Sequence, residues 1–330
     1  MAMTDRLDRF QRRHPGAGFP IAVLYKFFDD QGNYLAALIA YYGFVSLFPL
    51  LLLLSTVLGF VLRGNPHLQQ SVLHSALHQF PVIGQQLGEP RRIGGGTGGL
   101  VIGILGSVYG GLGVAQALQN AMNTAWAIPR NSRPNPIKAR LRSLILLGVV
   151  GLAVAGTTVL SALGTRGWGI QLLFIVASVA VNAGVFILAF RVATAHALSL
   201  ADVVPGALGA AVIWQVLQSV GSVYIGHVVK SASATNGVFA LVLGLLAFLY
   251  LAAMGVVISV EVNVVRARHL HPRALLTPFT DNVDLTAGDK GVYAGAAKAQ
   301  RTKGFEEVDV RFNPEQQSDG EPEGAANDSG

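Results

Sequence analysis

AYYGFVSLFPLLLLLSTVLGF, residues 40–60, is an unbroken apolar and aromatic run with no charged side chain. Its parent stretch, Tyr34 to Leu62, is too long for the core of a signal peptide and long enough for a helix that crosses a bilayer, which needs about 20 apolar residues. Five comparable runs follow, and the six expected spans are roughly 34–62, 98–127, 143–164, 170–190, 204–226 and 238–262. Between Gln31 and Val260 the only carboxylates are Glu89 and Asp202. A stretch so poor in acids cannot surround itself with a solvated surface, so lipid is its expected solvent. The runs are continuous rather than alternating, which favours helices over membrane β-strands. The fold class expected is all-α, a polytopic membrane protein with six transmembrane helices.

Composition agrees. Hydrophobic residues make up 52% of the chain, charged residues 13%, and mean hydropathy is +0.49, where a soluble domain carries about 25% charge. The chain has no cysteine, which excludes disulfides, thiolate catalysis and Cys-based metal centres. Residues 1–33 mix Arg6, Arg9, Arg12 and Arg13 with Asp5, Asp8, Asp29 and Asp30. No small-residue cleavage site follows a short apolar core, so no cleavable signal peptide is expected.

The net charge of +6 divides unevenly: residues 1–280 carry 19 Lys+Arg against 7 Asp+Glu, and residues 281–330 carry 5 against 11. Three parts follow: an N-terminal segment 1–33 with an interfacial helix over 20–33, a transmembrane domain 34–262, and a tail 263–330 expected to be disordered beyond about 280. With the N-terminus inside, the inner segments hold 14 Lys and Arg up to Arg273, and the outer loops hold 5. That bias places both termini in the cytoplasm. The long outer loop contains HLQQSVLHSALHQF, 67–80. Leu68, Val72, Leu73, Ala76, Leu77 and Phe80 fall on one side at helical spacing, so an amphipathic external helix is expected. His67, Ser71, His74 and His78 form its polar stripe. No metal or other cofactor is expected there, because no nearby carboxylate completes a ligand set.

The sharpest spacing lies in the second span. Gly99, Gly103, Gly106, Gly110 and Gly113 recur at intervals of 4, 3, 4 and 3, which places them on one helix face. Such a stripe lets another helix approach closely, in the same bundle or in a second copy, so a homo-oligomer is possible. In the first span Pro49 removes the backbone bond to Val45 and should kink the helix, with Ser46 near enough to satisfy the freed carbonyl. Glu261, at the end of the sixth span, needs a cation or water at that depth, and Arg191 and Arg142 are its expected partners. Asp202, just before the fifth span and Pro205, reads as helix-start chemistry. Tyr41, Ser46, Pro49, Asn120, Asn123, Asn182, Gln215 and Glu261 are the candidate polar path or gate. The basic loop of Arg130, Arg133, Lys138, Arg140 and Arg142 suits anionic lipid. It lacks the interleaved aromatics that bind single strands, so nucleic acid is not an expected partner.

Four stretches together resemble the YihY/BrkB family of bacterial inner-membrane proteins. AYYGFVSLFPLLLLL resembles that family's first span, ALQNAMNTAW (117–126) the end of its second, and VVPGALGAAVIWQVLQ (203–218) the start of its fifth. Glu261 with Asn263 resembles the Gly-Ala-Glu-Leu-Asn ending of its last span. The resemblance covers about residues 20–270 and implies a multi-pass protein of the bacterial cytoplasmic (inner) membrane. The family carries an old label, ribonuclease BN. The sequence argues against enzymatic activity of that kind, because metal-dependent nucleases need several carboxylates or histidines converging on cations. The function expected is a transporter or lipid-translocating permease. The alternative is a non-transporting membrane scaffold for envelope or cytoplasmic partners, working through the external helix and the acidic tail.

Overall fold

Turn residues cut the apolar runs into helices. In a computed structural model, which describes residues 2–61, 96–163, 168–231, 234–280 and 283–312, these are α1 (Ala2–Arg13), α2 (Pro15–Asp29), α3 (Gly32–Val61), α4 (Gly96–Ala125), α5 (Pro136–Leu163), α6 (Trp168–Ala193), α7 (Leu200–Ser231), α8 (Ala234–Ala267) and α9 (Ala287–Ala299). No strand occurs among the described residues. Helix α2 opens with proline in its first turn, where the missing N–H costs nothing. Gln31 reverses the chain in the left-handed region, with φ 55°. Gly32 then leaves room for the ring of Phe27, which a Cβ there would strike. The external segment 67–80, with Glu89, lies outside the described residues.

Helices α3 to α8 form a closed ring. Each packs on the next in sequence, and α8 returns to α3. Helix α4 also touches α6 and α8, so the ring has no empty middle at that level. Helix α2 lies against α8 and α3, with α1 against α2. By length and composition, Val101–Ala125, Val176–Ala193, Leu200–Gly221 and Val242–Ala267 can each cross a membrane, and Gly32–Leu47 is a shorter apolar helix. Only 22–33% of each long window is buried inside the protein. Leu38, Ile102, Leu105, Val176, Val212, Val216, Leu243 and Leu251 point outward. So much apolar surface around a helical ring suits lipid rather than water.

The glycine stripe of α4 meets a stripe of matching spacing on α3. A Cβ on Gly106 would lie 2.7 Å from the Pro49 ring and one on Gly110 2.5 Å from Ser46 Cβ, while one on Gly113 would enter the Tyr42 ring. Residues 42, 46 and 49 run antiparallel to 113, 110 and 106, so side chains on one helix fill the spaces on the other. A further glycine, Gly111, faces Leu147 of α5. Ser46 donates its hydroxyl to the Gly43 carbonyl at 2.9 Å, not to the carbonyl freed by Pro49.

Helix α7 has a different solution to an internal proline. Pro205 cannot donate to the Ala201 carbonyl one turn back. Arg266 of α8 donates to that carbonyl instead, at 2.9 Å. Ser199 caps the helix and Asp202 reaches back to the Ser199 amide at 2.9 Å, a reciprocal cap. Asp202 therefore works at the helix start, as the third residue of the first turn.

Disorder beyond about 280 does not hold for residues 283–312. Thr286 and Asp289 form a capping box that starts α9. Val292 and Ala299 are buried beneath it. The acidic end 313–330 lies outside the described residues.

A buried charge cluster where α2 meets α8

Glu261 lies in the last third of α8 and is fully buried. Its partner is neither Arg191 nor Arg142. Arg191 donates to the Leu198 carbonyl, and Arg142 to the Thr194 carbonyl. The cation beside Glu261 is Lys26 of α2, with Nζ 3.6 Å from Oε2. Lys26 also pairs with Asp30, one turn later, and donates to the Ala125 carbonyl at the end of α4 at 3.2 Å. One ammonium therefore stands between two carboxyls, all with side chains less than a tenth exposed. Both Glu261 oxygens lack a hydrogen-bond donor among the described residues. Burial pulls the Lys26 ammonium down, but Glu261 and Asp30 outweigh it and hold its pKa above the ordinary lysine value. Burial pushes the Asp30 carboxyl up, beyond what Lys26 restores.

A cavity of about 20 Å³ borders the cluster, with Lys26, Asp30, Ala125, Arg268, Gly291 and Val292 among its walls. That is room for roughly one water. The Arg268 guanidinium stands 5.7 Å from the centre of the buried Trp126 ring.

Asp29, the neighbour of Asp30, belongs to a second cluster. Its carboxylate accepts from Arg273 Nη1 at 3.0 Å. Arg273 is almost wholly buried and also pairs through Nε with Asp289 of α9. Burial lowers the Arg273 pKa, and Asp289 and Asp29 raise it further than burial lowers it. Around this pair, Ala274 N donates to Asp289, Tyr25 donates to the Leu275 carbonyl at 2.7 Å, and Leu275 N donates to Asp8 at 2.9 Å. The adjacent acids Asp29 and Asp30 at the end of α2 thus link the ring, through Lys26 and Glu261, to the C-terminal segment.

The eight residues expected to form a polar path do not converge on one lining. Tyr41 is 58% exposed on the outer side of α3. Ser46 and Pro49 close against the α4 glycines, among which Gly103 is buried; Gly99 falls in the first turn of α4. Asn120 is exposed and accepts from Arg133 at 3.2 Å. Asn123 is buried and accepts from the Ala195 amide at 2.8 Å, fixing the turn after α6. Asn182 and Gln215 are half-buried in α6 and α7. Asn263, two residues beyond Glu261, is buried against α7: its carbonyl accepts from Gly206 N at 2.7 Å and its amide donates to Val203 at 3.2 Å. A Cβ on Gly206 would meet the Ser259 carbonyl, so Gly206 is what permits this approach.

These features define a helical membrane protein with several apolar helices and a charged cluster at one end of its ring. The family model described as Virulence factor BrkB matches residues 23–281. The chain belongs to that family. Lys26, Asp30, Glu261, Asn263 and Arg273 all fall within the matched stretch, and α9 falls beyond it. A search of curated proteins gave no match, and neither did a search of solved structures.

Proposed function

We propose that this protein is a transporter or lipid-translocating permease of the bacterial inner membrane, with Lys26, Asp30 and Glu261 as its gate. In this reading α3 to α8 cross the bilayer six times, both termini are cytoplasmic, and α2 lies along the inner interface. The basic loop 130–142 then faces the anionic inner leaflet. The observation that carries the reading is Glu261, fully buried and 3.6 Å from a lysine on a helix outside the ring.

Buried ion pairs are a poor way to gain stability, because apolar residues of similar volume do as well or better. A charged cluster joining the ring to a peripheral helix suits a contact that is made and broken. Withdrawing α2 would carry Lys26 and Asp30 away from Glu261 and open the inner end of the bundle. The reading assigns no catalytic step and no nuclease chemistry to the chain.

Reconstitution in liposomes tests it. Labelled lipid or solute crosses with the wild-type chain, and Lys26→Met and Glu261→Gln change the rate. Absence of flux under every gradient applied, with both variants behaving as wild type in cells, overturns it. The second reading, a scaffold, draws support from α9, an ordered helix held outside the family's matched region. Deletion and substitution separate the two. Loss of function on removing 286–330, with Lys26 and Glu261 tolerant of change, favours the scaffold.

A further inference from the structure

Helix α1 uses only part of its circumference to hold the protein together. Buried Gln11 donates to the Arg273 carbonyl, and Asp8 accepts from the Leu275 amide. At 100° per residue the neighbouring flank carries Leu7, Phe10 and His14 within an arc of about 60°. Leu7 is 50% exposed and Phe10 53%, and the Phe10 ring stacks on His14 with 4.3 Å between centroids. Arg6 and Arg13 lie beside this stripe, both exposed. Exposed apolar side chains also stand on α2, where Leu24 and Phe28 are 48% and 66% exposed, and on α3, where Tyr34 and Leu38 are exposed.

An exposed leucine and phenylalanine beside arginines form the pattern of a helix that lies in a membrane interface. The apolar stripe reaches the acyl boundary and the guanidiniums meet phosphates. The charge beside the stripe is of one sign, which selects an anionic surface over a neutral one.

We propose that α1 is an interfacial anchor that docks on anionic lipid headgroups through Leu7 and Phe10, with Arg6 and Arg13 as the phosphate contacts. This rests on the protein residing in a membrane and not on transport. Because the chain lacks cysteine, Leu7→Cys carries a single environment-sensitive fluorophore. The full-length variant is reconstituted in vesicles of phosphatidylglycerol with phosphatidylcholine, or of phosphatidylcholine alone, each with and without lipids bearing a quencher near the headgroup.

The expected result is a blue-shifted emission, quenched in the anionic vesicles. Adding Arg6→Gln and Arg13→Gln, or raising the salt, lowers docking on the order of ten-fold. Emission characteristic of water from position 7 in both vesicle types overturns the proposal. So does quenching that is equal in the two vesicle types and indifferent to the arginine changes. A signal that rises with protein density instead of anionic lipid assigns the face to a second copy, and also overturns it. Flux measured on the same vesicles is a separate readout, so a failed anchor and a failed transporter are distinguishable.

Discussion

Lys26 of α2 and Glu261 of α8 stand 3.6 Å apart, and Asp30 on its other side sets the lysine between two buried carboxyls. The arrangement is lopsided, and its variants should be too. Lys26→Met leaves two carboxyls without their cation, and about 3 kcal/mol or more of stability should be lost, as when one partner of a buried pair is removed. Glu261→Gln leaves Lys26 with Asp30, one charge of each sign, and should cost about 1 kcal/mol. Thermal unfolding in detergent ranks the two. Equal losses, or a larger loss for Glu261→Gln, would contradict the geometry.

The matched stripes of α3 and α4 predict a sharp position dependence among glycines. Gly110→Leu forces α3 away from its seat and should cost about 1–3 kcal/mol or more, the range for overpacking. Gly148→Ala and Gly184→Ala meet no atom within 4 Å and should be neutral or slightly stabilising, because alanine favours the helix. Melting temperatures of the three variants in one detergent check this.

Asn263 and Asn120 give a contrast between two asparagines. Asn263→Leu removes the two hydrogen bonds that tie the Gly206 amide and the Val203 carbonyl of α7 to α8, at about 0.5–1.5 kcal/mol each. Asn120→Leu loses one exposed contact to Arg133 and should change stability by less than about 0.5 kcal/mol. Expression level and unfolding midpoint should fall for the first variant alone.

The seat of α9 can be locked. A Cβ at Gly295 lies 3.6 Å from the Cβ of Ala127, within the range a disulfide spans. Gly295→Cys with Ala127→Cys should crosslink under mild oxidation, read as a mobility shift on a non-reducing gel that reductant reverses. With no native cysteine, any bond formed within one chain is this one. No crosslink at any oxidant concentration would place the tail elsewhere.

Much of this was legible in the residues, and the misses have particular causes. The glycine spacing of α4 marked a close-packed face, and the same 4–3 spacing stood in Tyr42, Ser46 and Pro49. Spacing alone does not say which helix meets which, so the proline and the glycines read as two features rather than one contact. Glu261 was identifiable as an acid in need of a cation. Its partner was misassigned because depth was compared only among span ends, while Lys26 reaches in from a helix outside the spans. Helix α9 was hidden by averaging: the stretch after 313, with five acids and no Lys or Arg, sets the net charge of the whole tail. The signal was local, a Thr286-to-Asp289 cap followed by Val292 and Tyr293. Nothing in the sequence joins Asp29 to Arg273, since that pair depends on a chain return set by the complete ring.

The interlock of Tyr42, Ser46 and Pro49 with Gly113, Gly110 and Gly106 has a mechanical corollary. Prising α3 from α4 would bare glycine backbone to lipid with no side chain to cover it, so that seam acts as a weld. Shape changes in the bundle must therefore carry α3 and α4 as one rigid plank, and the sliding must fall at joints elsewhere in the ring.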